Sequence, residues 1–128
     1  MGQQQLLLIV LGVIIVGIAV VVGINLFNAN AVSANRDGVI SDLNNLGTMA
    51  QQFYKKPSSM LGGGNTFTGW TIPAQLDTTG NGTYTITTPG AQSVIITGTG
   101  TETGDNGSAK VQATAKVTPT AITLEKNN

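Results

Sequence analysis
With 128 residues, six Lys or Arg against six Asp or Glu, and only 9% charged side chains, the chain is electrically balanced, and it contains neither cysteine nor histidine. Disulfides, thiol chemistry and iron–sulfur or haem attachment are therefore excluded, and the commonest zinc ligand and proton shuttle is missing. No basic field exists to attract nucleic acid or anionic lipid, so neither nucleic-acid binding nor a cofactor is expected.

The polar and apolar residues are segregated along the chain. From Leu6 to Ile24 no side chain is charged or polar, and the first charge of all is Arg36. Such a run meets the length needed to cross a hydrocarbon core, about 20 residues. Ala29-Asn30-Ala31 and Val32-Ser33-Ala34 have the form of signal-peptide cleavage sites. However, the Met-Gly-Gln-Gln-Gln start carries no Lys or Arg, and the apolar core exceeds the roughly 7 to 15 residues of a secretory signal. Residues 1–27 are read as one retained apolar helix that works in a membrane or in an assembly that replaces it.

The helix is predicted to continue. Between residues 28 and 56, Val32, Val39, Leu43, Leu46, Ala50 and Phe53 recur at helical spacing, with Ile40 and Tyr54 beside the stripe. Arg36, Asp37, Asp42, Asn45 and Gln52 are assigned to the opposite, solvated side. Lys55-Lys56 suit a helix C-terminus and Pro57 ends it. A helix over about 3–56 would be roughly 80 Å long at 1.5 Å per residue, too long for a head of the remaining residues to cover. Its first half must be buried by lipid or by copies of itself. Gly12, Gly17, Gly23, Gly38 and Gly47 mark close packing or local unwinding, and their spacing makes no GxxxG dimer motif.

Residues 57–82 read as a Gly-rich, flexible connecting loop. Gly62-Gly63-Gly64 is followed by no GK[ST], which argues against a phosphate loop. Residues 83–128 read as β structure. Thr83 to Thr88 alternates Tyr84 and Ile86 with threonines, Pro89-Gly90 marks a turn, and a strand through Val94 and Ile96 runs toward Glu102. Gly104-Asp105-Asn106-Gly107 signals a hairpin. Val111, Ala113, Ala115 and Val117 then alternate with Lys110, Gln112, Thr114 and Lys116, and Ile122 and Leu124 open a last strand. The expected fold class is α+β: a long N-terminal helix and a small antiparallel sheet of about four strands covered by the helix face of Val39, Leu43, Leu46, Ala50 and Phe53. Phe53, Tyr54 and Trp70 are expected to join helix and head.

A short polar start, an apolar run, an amphipathic continuation to a proline, a glycine-rich loop and a small antiparallel sheet together resemble a type IV pilin or pseudopilin, a lollipop of helix and head. In that family a prepilin peptidase trims a short leader and methylates the new terminus, and an ATPase-driven machine moves subunits from the cytoplasmic membrane into a filament. The resemblance implies that Met1 and Gln5 belong to the processing and register end of the helix. With Met1 as the mature first residue, Gln5 stands where bacterial pilins carry a glutamate, and it brings no charge to pair with a neighbour's terminal amine. Cleavage after Gly2 would instead start the chain at Gln3. The C-terminal disulfide loop of many bacterial pilins cannot form here.

The resemblance implies a structural subunit of an extracellular filament, without catalytic, metal or small-molecule sites. Leu6, Leu7, Leu8, Ile9, Val10, Leu11, Val13, Ile14, Ile15, Val16, Ile18, Val20, Val21, Val22, Ile24, Leu26 and Phe27 would form a filament core of identical subunits. A pseudopilin of a secretion or DNA-uptake machine and a non-polymerising, membrane-anchored binding module are the alternatives. The carboxylates at Asp37, Asp42, Asp77, Glu102, Asp105 and Glu125 show no motif spacing and are read as solvated charges rather than an active site. Asn81-Gly82-Thr83 and Asn106-Gly107-Ser108 match the glycan acceptor pattern, making Asn81 and Asn106 candidate modification sites.

Overall fold
The structure, a computed structural model, describes residues 2–128. Helix α1 spans Gly2–Lys55 without interruption. A single 3-10 turn, Ser58–Met60, follows, and then five strands: β1 Thr78–Thr79, β2 Gly82–Pro89, β3 Val94–Thr103, β4 Lys110–Val117 and β5 Ile122–Lys126. They form one antiparallel meander in the order β1-β2-β3-β4-β5. One long N-terminal apolar helix with a small antiparallel sheet is a pilin-like architecture. By contacts the chain divides into two units, Met1–Ala31 and Val32–Asn128.

The core of the second unit lies between one helix face and one sheet face. Val39, Leu43, Leu46 and Ala50 are buried on α1, and Val94, Ile96, Ala113, Ala115 and Val117 are buried on the sheet, with Tyr84 and Phe67 among them. Trp70 is buried as well, while Phe53 and Tyr54 are half-buried against the same cluster. The rings of Tyr54 and Phe67 are tilted by 37° with centroids 4.8 Å apart. Each fully buried Leu, Val, Ile or Phe side chain contributes about 1.5–3 kcal/mol of transfer free energy.

Glycines set how closely the layers approach. Gly47 faces Val117 and Ile122, and a Cβ there would lie 2.9 Å from Ile122 Cδ1. Along the inward face of β3 the side chains shrink from Val94 and Ile96 to Gly98 and Gly100. A Cβ on Gly98 would stand 2.8 Å from Val39 Cγ1, and one on Gly100 would overlap Asn35 Oδ1. By contrast, Gly12, Gly17 and Gly23 face open space, and the helix passes through all three without a break.

Two features differ from the sequence reading. The fifth strand, β1, is only two residues long and pairs Thr78 with Thr83 and Thr79 with Gly82. Residues 62–65 are not a loose connection but cap the end of α1. The amides of Gly63, Asn65 and Gly64 donate to the carbonyls of Phe53 (2.8 Å), Tyr54 (2.8 Å) and Lys56 (3.0 Å). The last turn of any helix leaves carbonyls without partners, and this loop supplies the donors. Glycine is required at Gly63, where a Cβ would overlap the carbonyl of Thr66 and press on the Phe53 ring.

Candidate functional site
The most unusual surface belongs to the unit Met1–Ala31. Every large apolar side chain from Leu6 to Phe27 is exposed, from 53% at Leu11 and Ile14 to 79% at Phe27. This apolar surface surrounds the helix on all sides, unlike the one-sided stripe of a helix that covers a core. The residue types sharpen the point. Val13, Ile14, Ile15, Val16, Ile18, Val20, Val21, Val22 and Ile24 are β-branched and lose rotamer freedom in a helix, so in water this run has poor helical propensity. A medium without hydrogen-bonding partners reverses that preference, because only a helix satisfies every backbone group within the segment. α1 is long and apolar enough to cross a membrane.

Amides bracket the segment. Gln3, Gln4 and Gln5 precede Leu6, and Asn25, Asn28 and Asn30 lie at the far end. Between Leu6 and Ile24 the helix rises about 27 Å, close to the roughly 30 Å of a hydrocarbon core. Gln5 is exposed on the helix surface. Met1, the other residue assigned to processing and register, lies outside the described residues.

In the second unit, polar side chains lock helix to sheet. Asp42, placed on the solvated side by its helical position, is half-buried, and its Oδ2 accepts three hydrogen bonds. They come from Tyr84 Oη (2.5 Å), Thr79 Oγ1 (2.8 Å) and Asn81 Nδ2 (3.1 Å). Burial acts to raise the pKa of this carboxyl, but the three donors outweigh it and leave the carboxyl below its ordinary value. For Tyr84, burial and the bond to Asp42 push the phenol upward, so it stays protonated as the donor.

A second clamp is built on Asn35. The β3–β4 register shifts between Thr99 and Thr103. There the amides of Thr101 and Glu102 donate to Asn35 Oδ1 at 3.1 and 3.3 Å, while Asn35 Nδ2 donates to the Asn81 carbonyl at 2.8 Å. Gly100 is the complement that makes room for this amide. Spacing alone pointed to neither clamp. The alternating glycines of Thr97-Gly98-Thr99-Gly100 are the sequence signal that the helix passes close to β3 at this level.

The candidate acceptors Asn81 and Asn106 differ in setting. Asn81 is half-buried, and its Nδ2 is the group that meets Asp42. Asn106 is exposed, with its Oδ1 accepting from the amides of Ser108 and Ala109 at 3.0 and 2.9 Å in the β3–β4 turn. Beside it Asp105 pairs with Arg36 (2.8 Å) and with Lys126, and these cations hold its carboxyl below the ordinary value, Lys126 first. Among the described residues no three acidic side chains come together in a way that could hold a metal ion. Compared with protein-family models, curated proteins and solved structures, the chain finds no match.

Proposed function
We propose that the chain is the structural subunit of a type IV pilus-like extracellular filament, held in the cytoplasmic membrane before assembly and trimmed there by a prepilin peptidase. The observation that carries the reading is the division of α1. One part is apolar and exposed on every side, and the other supplies the core face of a separate β unit. A helix used only as an anchor has no need to be a core element of the soluble unit as well.

Lipid satisfies the exposed segment first. Away from lipid, only other apolar helices can replace it, since each side chain returned to water loses about 1.5–3 kcal/mol. Over Leu6–Phe27 this amounts to tens of kcal/mol in gross terms. Identical helices staggered along an axis give that environment, and because such a contact joins two different patches it adds copies without closing a ring. Leu6–Phe27 thus line the filament core.

Shearing the cells that express the chain and imaging the released material by negative stain and cryo-microscopy tests the proposal. Helical fibres whose interior density traces α1 are expected. If the chain leaves membranes only with detergent and only as dispersed monomers, it is instead an anchored surface module.

A further inference from the structure
The two triplets that match the glycan acceptor pattern both lie in turns, but the fold gives their asparagines opposite settings. Asn81 belongs to the lock between helix and sheet. Its Nδ2 donates to Asp42 Oδ2 at 3.1 Å, its backbone amide donates to Thr79 Oγ1 at 3.2 Å, and its carbonyl accepts from Asn35 Nδ2 at 2.8 Å. The side chain is half-buried against α1 at Gly38, where even a Cβ would stand 2.5 Å from Asn81 Oδ1 and 3.0 Å from its Nδ2. A sugar ring on Nδ2 would have to push this side chain off both Asp42 and the helix.

Asn106 sits at the tip of the β3–β4 turn. The turn is closed by the Gly104 amide donating to the Ala109 carbonyl at 2.8 Å and by the Gly107 amide donating to the Gly104 carbonyl at 3.0 Å. Residues 105–109 are exposed, and a Cβ added to Gly107, at φ 73°, would meet nothing within 4 Å. Asn106 Oδ1 accepts from the amides of Ser108 and Ala109 and, at 3.2 Å, from Asn128 Nδ2. Backbone N–H groups can only donate, so they fix the oxygen as the inward end of the side-chain amide and turn Nδ2 outward. Among the described residues neither Asn106 Nδ2 nor Ser108 Oγ makes a hydrogen bond.

We infer that Asn106 carries an N-linked glycan and that Asn81 carries none. The acceptor pattern needs a side-chain amide and, two residues on, a hydroxyl, both within reach of a transferase; the Asn106-Gly107-Ser108 turn presents the two together. The donor class is a sugar carried on a lipid phosphate. A bond forms from Asn106 Nδ2 to the anomeric carbon, the bond from that carbon to the phosphate oxygen breaks, the lipid phosphate leaves with the electron pair, and one Nδ2 proton passes to solvent. The product amide keeps its carbonyl and one N–H, so Oδ1 retains its three donors and the turn is undisturbed. The inference rests on the part of the reading above that places Val32–Asn128 outside the cytoplasm, and it is independent of whether copies form a filament.

Mass spectrometry of the full chain, recovered from the cells that express it, tests the assignment. An endoproteinase that cuts before Asp77 and Asp105 gives residues 77–104 with Asn81 and residues 105–128 with Asn106. The expected result is added sugar mass on 105–128 at Asn106 and none at Asn81. Asn106→Gln and Ser108→Ala should each abolish that mass, while Ser108→Thr and Asn81→Gln keep it. Ser108→Ala is the variant that spares the fold, because Ser108 enters the turn through its backbone amide and not its hydroxyl. Asn106 recovered bare or deamidated, sugar at Asn81, or sugar mass that survives Ser108→Ala overturns the inference. Labelling Lys55 and Lys56 on whole cells with a non-permeant amine reagent separates the two ideas. An exposed unit without the sugar refutes the glycan alone, whereas a unit that no label reaches refutes the placement as well.

Discussion

Replacing Tyr84 by Phe tests how the β unit is fastened to its helix. The ring is 2% exposed, so Phe keeps the packing and deletes only the hydroxyl that donates to Asp42 Oδ2 at 2.5 Å. A hydrogen bond to a charged group contributes about 1.5–3 kcal/mol net. Because Asp42 is half-buried and keeps Thr79 and Asn81 as donors, the lower end applies, about 1.5–2 kcal/mol at neutral pH. The acid dependence carries a sign. The folded state holds the Asp42 carboxyl below its ordinary value, so its contribution is fully present above the unfolded pKa of about 3.9 and is lost as pH falls through the lower folded value. The gap between wild type and Tyr84→Phe should be constant from neutral pH to about pH 5 and narrow below about pH 4. Urea unfolding of the full chain in detergent, read as a midpoint shift at unchanged slope, measures it. In an Asp42→Asn background the same substitution should cost less, because the two residues are coupled. A gap near zero at pH 7, or one that acid leaves unchanged, would refute the assigned role of the hydroxyl.

Three further substitutions separate the parts of the chain. Leu43→Ala removes a fully buried side chain and should destabilise the β unit by about 2–5 kcal/mol, whereas Leu11→Ala in the exposed segment should leave its urea midpoint in detergent unchanged. Gly100→Ala should drive Asn35 off the amides of Thr101 and Glu102, costing about 1–3 kcal/mol. Combined with Asn35→Ala the two effects should fall short of their sum, which a double-mutant cycle in urea would read. Ile15→Asp places a carboxylate in the middle of the apolar segment at a cost of about 2.5–3.5 kcal/mol for insertion, so the carbonate-resistant membrane fraction should fall.

The sheet was largely legible because alternation maps directly onto burial. Residues 110–117 alternate strictly, and β4 occupies that range with Val111, Ala113, Ala115 and Val117 buried. β1 was not legible, for two threonines beside a Gly-Asn-Gly turn carry no periodicity, and their strand exists only through pairing with β2. Asp42 was misplaced for a different reason. Helical spacing tells which way a side chain points but not what meets it, and its partners stand 37 to 42 residues further along. Asn35 is the same case, since its role depends on a register shift in β3 that no local pattern announces. The Gly-rich loop read as loose because glycine permits freedom; here the missing Cβ at Gly63 allows close approach to the helix end.

In the proposed filament, the uncharged start of α1 has an energetic consequence. Moving an apolar helix from lipid to a bundle of like helices exchanges one set of apolar contacts for another, so the hydrophobic effect does not drive that step. It enters afterwards, as a barrier to dissociation into water. Directional work must then come from an external assembly machine, and the subunit's task is to avoid opposing the transfer. A carboxylate at position 5 would need a cationic partner at every stage, because an unpaired buried charge is far more costly than an unpaired amide. Gln5, flanked by Gln3 and Gln4, removes that requirement, since an amide can bond to any neighbouring donor or acceptor. Charge begins only at Arg36, within the β unit. No charged side chain therefore lies within the apolar segment Leu6–Ile24.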